Sequence, residues 1–256
     1  MRFKFSNMEI PLYFYEAYKD LDRLSPGSKD ITLKAIDKVN LNVDDNLNIL
    51  DIACGVGTST ILLAKYFKNA TVEGFDLFNH YKESLEEKIE KHNLSDRVYA
   101  YKMDMRDPDF ANEEFDLVFC EASIEIIGFK KGLEEWKRLL KPNGYMIVSD
   151  ISWLDNPSSE SRKFWKNIYF EVDTIENKIV QIQNRGYEFI NYVIVPKKDW
   201  DDYYVKLEKN LNALSSDKSA KDFVKQLREE IEMYRHNYDD YSYVFYVMRK
   251  VWKWNI

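Results

Sequence analysis

The chain has 256 residues, of which 45% are hydrophobic and 32% charged, with a formal net charge of −7. That length gives one domain, or one domain with a cap, around a large core. The acid excess excludes a broadly basic nucleic-acid surface, and no run approaches the ~20 apolar residues of a membrane span or opens the chain as a secretory leader.

In chain order, residues 8–24 crowd Ile10, Leu12, Tyr13, Phe14, Tyr15, Tyr18 and Leu21 into a first helix, with Pro11 in its opening turn. Ser25-Pro26-Gly27-Ser28 breaks that helix, and Ser28 can cap a second one carrying Ile31, Ala35 and Val39 at four-residue spacing.

Residues 49–60, ILDIACGVGTST, come next and carry the most information. An apolar strand ends in Asp51 and enters a turn, Ala53 to Gly57, that feeds a helix. Gly55 and Gly57 permit a tight turn and a close backbone approach to a ligand. The first N–H groups of the helix face the turn, and Thr58 and Ser59 add hydroxyls. This is the form of a nucleotide-cofactor loop. A dinucleotide loop would place a third glycine at position 60, where Thr60 stands, and a P-loop would need Lys-Ser or Lys-Thr after the glycines. Asp51 suits a cationic or hydroxyl-bearing ligand and is a poor neighbour for a pyrophosphate. The plainer alternative is a strand-turn-helix whose glycines serve only the turn.

TVEGFDLF is a second strand ending near Asp76, where an acid can accept hydrogen bonds from ribose hydroxyls. Residues 82–91 form a solvated helix. RVYAYKMDM leads to Asp104 and EEFDLVFCEAS to Glu121. In an open parallel sheet the ligand lies beyond the carboxyl ends of the strands, so these acids line one rim. A helix over 130–140 stops at Lys141-Pro142-Asn143-Gly144, and YMIVSDI is the fifth strand. One or two helices follow over 158–186. YEFINYVIV is a sixth strand closed by Pro196, residues 197–237 read as two helices, and YSYVFYVMRKV is the last strand.

DIACGVG, Asp76, Asp104, EEFDLVFCEAS and LLKPNGYMIVSD together resemble the class I S-adenosylmethionine-dependent methyltransferases, well over residues 47–150. The resemblance implies an α/β fold: a Rossmann-like, doubly wound, seven-stranded sheet, mostly parallel with an antiparallel last strand. It implies a single domain with a helical cap over 1–45 and a helical insertion over 197–238. The implied cofactor is S-adenosylmethionine, with S-adenosylhomocysteine as product. By the same resemblance Gly55 and Gly57 pass close to its methionine part, with Ala53 standing where glycine is more usual. Asp51 supports the loop and the amino group. Asp76, followed by Leu77, binds the ribose. Asp104 accepts from the adenine amino group, flanked by Met103 and Met105. Glu121 either holds the methionine end or a helix N-terminus, or serves with Glu125 as a general base.

Aromatic residues make up 15% of the chain. Tyr13, Tyr15, Tyr18, Trp153, Trp165, Trp200, Tyr203 and Tyr204 fall in segments expected above the rim, although ordinary helix packing explains any one of them. Trp153 and Trp200, each expected just after a strand end, are the leading pocket candidates, with Tyr15 and Tyr204 beside them. An aromatic-lined pocket fits a small organic acceptor. Neither nucleic acid nor a membrane is expected as partner, and the chain is read as a monomer or homodimer. Cys54 and Cys120 read as small buried residues of a cytoplasmic protein rather than a disulfide. His80, His92 and His236 show no metal-ligand spacing, so no metal is expected. The alternatives are an aminopropyltransferase using Glu121, Glu125, Asp150 and Asp155 toward a polyamine, and a non-catalytic cofactor-binding protein.

Overall fold

The computed structural model describes residues 10–251. The first nine residues of the expected cap therefore lie outside the described residues. Seven long strands form one sheet in the order β3-β2-β1-β4-β5-β8-β7, and a two-residue strand, β6, pairs with β5 off that path. The strands are β1 (Asn48–Ile52), β2 (Thr71–Asp76), β3 (Val98–Lys102), β4 (Phe115–Cys120), β5 (Leu140–Trp153), β6 (Asp173–Thr174), β7 (Tyr187–Ile194) and β8 (Tyr241–Lys250). β1 to β5 run parallel. β8 runs antiparallel between β5 and β7. This is the Rossmann-like sheet expected from the sequence, with the short β6 as an addition.

Alternation along the strands makes the sheet two-faced. Ile49, Leu117, Ile147 and Phe245 belong to one core cluster, and their neighbours Leu50, Val118, Val148 and Tyr246 to the other. A side chain on a strand points opposite to the next one, so apolar residues at every position demand cover on both faces. The first cluster takes in Ile61, Leu63 and Leu85 from α3 (Thr58–Tyr66) and α4 (Asn79–Lys91). The second takes in Phe129, Leu133, Ile175 and Ile182 from α5 (Phe129–Glu135) and α7 (Ile175–Asn184).

The helix expected over 130–140 is shorter. α5 ends at Glu135, a 3₁₀ turn covers Trp136–Leu139, and β5 already begins at Leu140. Phe115 pairs with Leu140 but Leu117 with Tyr145, so Lys141–Gly144 bulges out of the ladder, with Asn143 at φ 64°. Further on, α6 (Ser159–Ile168) and α7 are two separate helices. Ser158 caps α6 by accepting from the Ser161 N–H, and Thr174 caps α7 through Asn177.

Helices from before β1 and from between β7 and β8 close the carboxyl end of the sheet. α1 (Leu12–Ala17) is only six residues long, shorter than the sequence pattern promised, because Asp20 turns left-handed at φ 59°. α2 (Lys29–Ile36) starts at Ser28, whose hydroxyl accepts from Ile31 N–H at 3.3 Å. α8 (Lys197–Ala213) and α9 (Lys221–Asn237) lie between β7 and β8. Asn210 on α8 donates to the carbonyls of Ala17 and Lys19 at 3.0 and 2.8 Å. Tyr13 and Phe14 pack their rings on Phe223 of α9 at 5.2 and 5.7 Å. No helix among the described residues is long and apolar enough to cross a membrane.

Candidate active site

The parallel strands bring Asp104, Asp76, Asp51 and Glu121 to one end of the sheet, in the order of β3, β2, β1 and β4. Their surroundings then separate them. Asp76 is the last residue of β2. Its Oδ2 accepts from Gly55 N–H and its Oδ1 from Phe78 N–H, both at 3.1 Å. Burial pushes its pKa up to about 6, against the pull of the backbone N–H groups. A carboxylate has about four acceptor positions, so two N–H bonds leave capacity toward the cavity that Asp76 lines.

Asp51 lies deeper, 1% exposed. Its Oδ2 accepts from the hydroxyls of Ser59 and Thr60 at 2.9 and 2.6 Å. Its Oδ1 is buried with no hydrogen-bond partner among the described residues. Burial pushes this carboxyl up to about 7, opposed by the two hydroxyls. Asp51 sits under the loop and does not form cavity wall, whereas Ser59 does.

The loop itself is held in left-handed backbone, with Ala53 at φ 54°, Gly55 at 52° and Gly57 at 79°. Ala53 and Gly55 line the cavity. Gly57 does not, which corrects its expected place beside a ligand. A Cβ on Gly57 would lie 2.6 Å from Leu85 Cδ1 and 3.1 Å from Leu85 Cα. That glycine is required by the packing of α4 on the loop.

Leu77, Met103, Asp104 and Met105 continue the wall. Asp104 is clamped by Arg106, whose Nε lies 2.9 Å from both carboxylate oxygens. The hydrogen-bonded guanidinium holds Asp104 below the usual carboxylate range. Glu121 is clamped as well. Its Oε1 accepts from Arg23 Nη1 at 2.6 Å and its Oε2 from the Thr32 hydroxyl at 3.3 Å. Both carboxylate oxygens are thus engaged by side chains from before β1. Glu121 is therefore a fastener for the segment between α1 and α2, which argues against its expected role as base. Glu125, on the 3₁₀ turn after β4, also lines the cavity and accepts from Tyr243 Oη at 3.1 Å.

The cavity encloses about 430 Å³, within the ~300–1,000 Å³ of small-molecule sites. Its floor is the strand-end loops. Its roof is Phe14 and Tyr18, Trp200 and Tyr203 of α8, and Glu230 of α9, with Trp165, Ile168 and Tyr169 at the side. Of the four expected pocket residues, only Trp200 lines it. Its indole N–H donates to Ser242 Oγ at 2.9 Å, and its ring stacks against Tyr234 and Tyr243 at 5.1 and 5.5 Å.

The other three expectations are corrected. Trp153 lies within β5, because that strand runs on through it, and its ring meets Tyr241 and Arg162 instead. Tyr15 packs on His80 and Tyr81 at 4.2 and 6.0 Å, and Tyr81 reaches the cavity in its place. Tyr204 stands one layer out, donating to Glu230 Oε1 at 2.9 Å. The four acids of the polyamine alternative do not gather. Glu121 and Glu125 reach the cavity. Asp150 is buried against Lys178 and accepts from Tyr169, and Asp155 is exposed.

Sequence reasoning missed Arg23, Tyr169, Glu230 and Tyr243. One signal was present for Glu230. Leu227, Glu230, Ile231 and Tyr234 share one helical face, so an acid stood at a core-facing position.

Residues 49–144 match the model of a family described as a methyltransferase domain. The chain is 27% identical over 188 residues to an uncharacterised protein of Haemophilus influenzae, covering 64% of this chain and 74% of that one. It is 24% identical over 209 residues to the protein YjhP of Escherichia coli, covering 79% and 82%. The solved structure of YjhP superposes with a TM-score of 0.79, covering 93% of this chain and 99% of that one at 19% identity. A Geobacter sulfurreducens S-adenosylmethionine-dependent methyltransferase, solved with S-adenosyl-L-homocysteine, superposes with a TM-score of 0.80 at 17% identity, covering 94% and 98%.

Proposed function

We propose that this chain is a class I S-adenosylmethionine-dependent methyltransferase and that it delivers the methyl group by direct displacement to a small organic acceptor seated under α1, α8 and α9. The observation that carries the reading is the wall formed by Asp76 and the loop at 53–57. Asp76 closes β2 with acceptor capacity toward the cavity, and Gly55 brings bare backbone to the same surface.

The residues fit the cofactor. Asp76 suits a ribose diol. Asp51, beneath the loop, supports the wall through Ser59, which lines the cavity. Leu77, Met103 and Met105 offer apolar surface to an adenine, with Asp104 beside them. When bound, S-adenosylmethionine supplies a methyl group already activated on a sulfonium.

What remains for the protein is alignment and exclusion of water. The aromatic roof provides both for an acceptor of modest size. A base is needed only where the acceptor must lose a proton, and Glu125 is the cavity carboxylate assigned to that role. Asp104, Met103, Met105, Leu77 and Ala53 are assigned to cofactor contact, and Asp51 to support of the loop from beneath.

Titration calorimetry with S-adenosylmethionine checks the reading. The expected affinity is micromolar, about −8 kcal/mol, and Asp76→Ala weakens it strongly. Absence of binding to the folded protein would sink the proposal.

A further inference from the structure

We propose that Arg23 binds the α-carboxylate of the cofactor's methionine part, so that the chain selects S-adenosylmethionine over its decarboxylated form; this rests on the methyltransferase reading above.

The first observation is an unfilled donor. Arg23 lines the cavity, and its side chain is only 10% exposed. Nη1 donates to Glu121 Oε1 at 2.6 Å. Nη2 is buried with no hydrogen-bond partner among the described residues. A guanidinium stays charged and carries five N–H donors, and a buried charged donor left unmet is costly. An anionic oxygen on a ligand answers both the donor and the charge, and the planar fork of a guanidinium suits a carboxylate.

The second observation is where Arg23 sits along the rim. β3, β2, β1 and β4 lie side by side. With the adenine at Asp104 beyond β3 and the ribose at Asp76 beyond β2, the methionine part runs past the loop after β1 toward β4. There Glu121, the residue after the end of β4, holds Arg23. Leu24, next in the chain, covers the loop: a Cβ on Gly55 would lie 3.1 Å from Leu24 Cδ1. Beneath the loop, burial raises Asp51 and the Arg23 charge partly offsets that rise. A carboxylate on the acceptor is the other source of the same chemistry, and probes that differ only in the cofactor's carboxyl group separate the two.

The third observation is that the guanidinium is held in place. Thr58 Oγ donates to the Asp22 carbonyl at 2.6 Å, and Tyr203 Oη to the Leu24 carbonyl at 3.1 Å. Glu121 is itself fastened to Thr32 of α2. A donor fixed in advance loses little freedom when a ligand arrives. Among the described residues that line the cavity, six are acids and two are bases. The second base, Arg106, is 63% exposed and grips Asp104. An acid-rich wall by itself draws the decarboxylated form, which carries one more net positive charge. A preference in the opposite direction requires a placed base, and Arg23 is the buried one.

The full chain is titrated by calorimetry with S-adenosylhomocysteine and with its decarboxylated analogue, S-adenosyl-3-thiopropylamine. The expected result is S-adenosylhomocysteine binding about 10- to 100-fold tighter. Arg23→Met should abolish that preference by weakening S-adenosylhomocysteine while leaving the analogue within about twofold. Because that change strands buried Glu121, Arg23→Met/Glu121→Gln is read beside it, and Glu121→Gln alone should keep the preference. Equal binding of the two probes to the parent chain overturns the assignment and turns Arg23 toward an anionic acceptor. Equal weakening of both probes in both Arg23 variants overturns it as well, since Arg23 then serves folding alone. Either result leaves the methyltransferase reading standing. Folded parent protein that binds no S-adenosylhomocysteine overturns the reading beneath it.

Discussion

The strand-end wall of the cavity and its helical roof are held by different kinds of contact. The wall is fixed by backbone: Gly55 and Phe78 N–H groups grip Asp76, and left-handed residues shape the loop. The roof is fixed by side chains from distant parts of the chain, with Tyr204 on Glu230, Tyr203 Oη on the Leu24 carbonyl and Trp200 on Ser242. A backbone-built wall tolerates little change and suits an invariant ligand. A side-chain-built roof can be re-cut for a different acceptor while the sheet stays the same.

The largest effect should come from Gly57→Ala. It combines left-handed strain of about 1–2 kcal/mol with overpacking of about 1–3 kcal/mol against Leu85, and thermal melting should show the loss. An unchanged melting temperature would mean that the loop is not packing-limited. Asp76→Ala should lower S-adenosylhomocysteine affinity by about 100-fold in titration calorimetry, as expected for lost charge-assisted bonds. Unaltered affinity would remove Asp76 from the ligand wall.

Part of the pH response belongs to the strand-end acids. Burial raises Asp51 and Asp76 to about 7 and about 6, from 3.8. The folded chain therefore keeps these protons after the unfolded chain has released them. Their stabilising contribution is full below pH ~4 and is lost as pH rises through 6 and 7, by at most about 1.4 kcal/mol per pH unit for each proton. Denaturant unfolding from pH 4 to 8 measures this, and Asp51→Asn should flatten the decline. A slope unaltered in that variant would assign the response elsewhere.

Tyr204→Phe tests the roof. Removing the hydroxyl donated to buried Glu230 should cost about 1–2 kcal/mol and leave cofactor affinity unaltered. The smallest effect is a gain. Ala53→Gly relieves a left-handed alanine and should stabilise the protein by about 0.5–1 kcal/mol.

Much of the wall was legible in the chain because it depends on neighbours in sequence. Asp51, Gly55 and Gly57 lie within one turn, and Asp76 follows in the next strand, so strand order and periodicity brought the acids to a single rim. Even there, local pattern did not assign roles. Gly55 and Gly57 look equivalent in sequence, yet one faces the cavity and the other faces Leu85. Glu121 and Glu125 also look alike until Arg23, 98 positions away, claims the first.

The sequence by itself determined the doubly wound sheet, because runs apolar at every position require cover on both faces, and it determined the cofactor loop, because that loop is local. The tertiary structure alone decided the roof. Trp153 and Trp200 carried the same signal, but β5 ran on through Trp153 and hydrogen-bonded it into the sheet, while α8 turned Trp200 onto the cavity. Glu230 reaches the cavity only when α9 is folded back over the strand ends. Contacts between residues far apart in the chain leave no periodic trace, and the roof is made almost entirely of them.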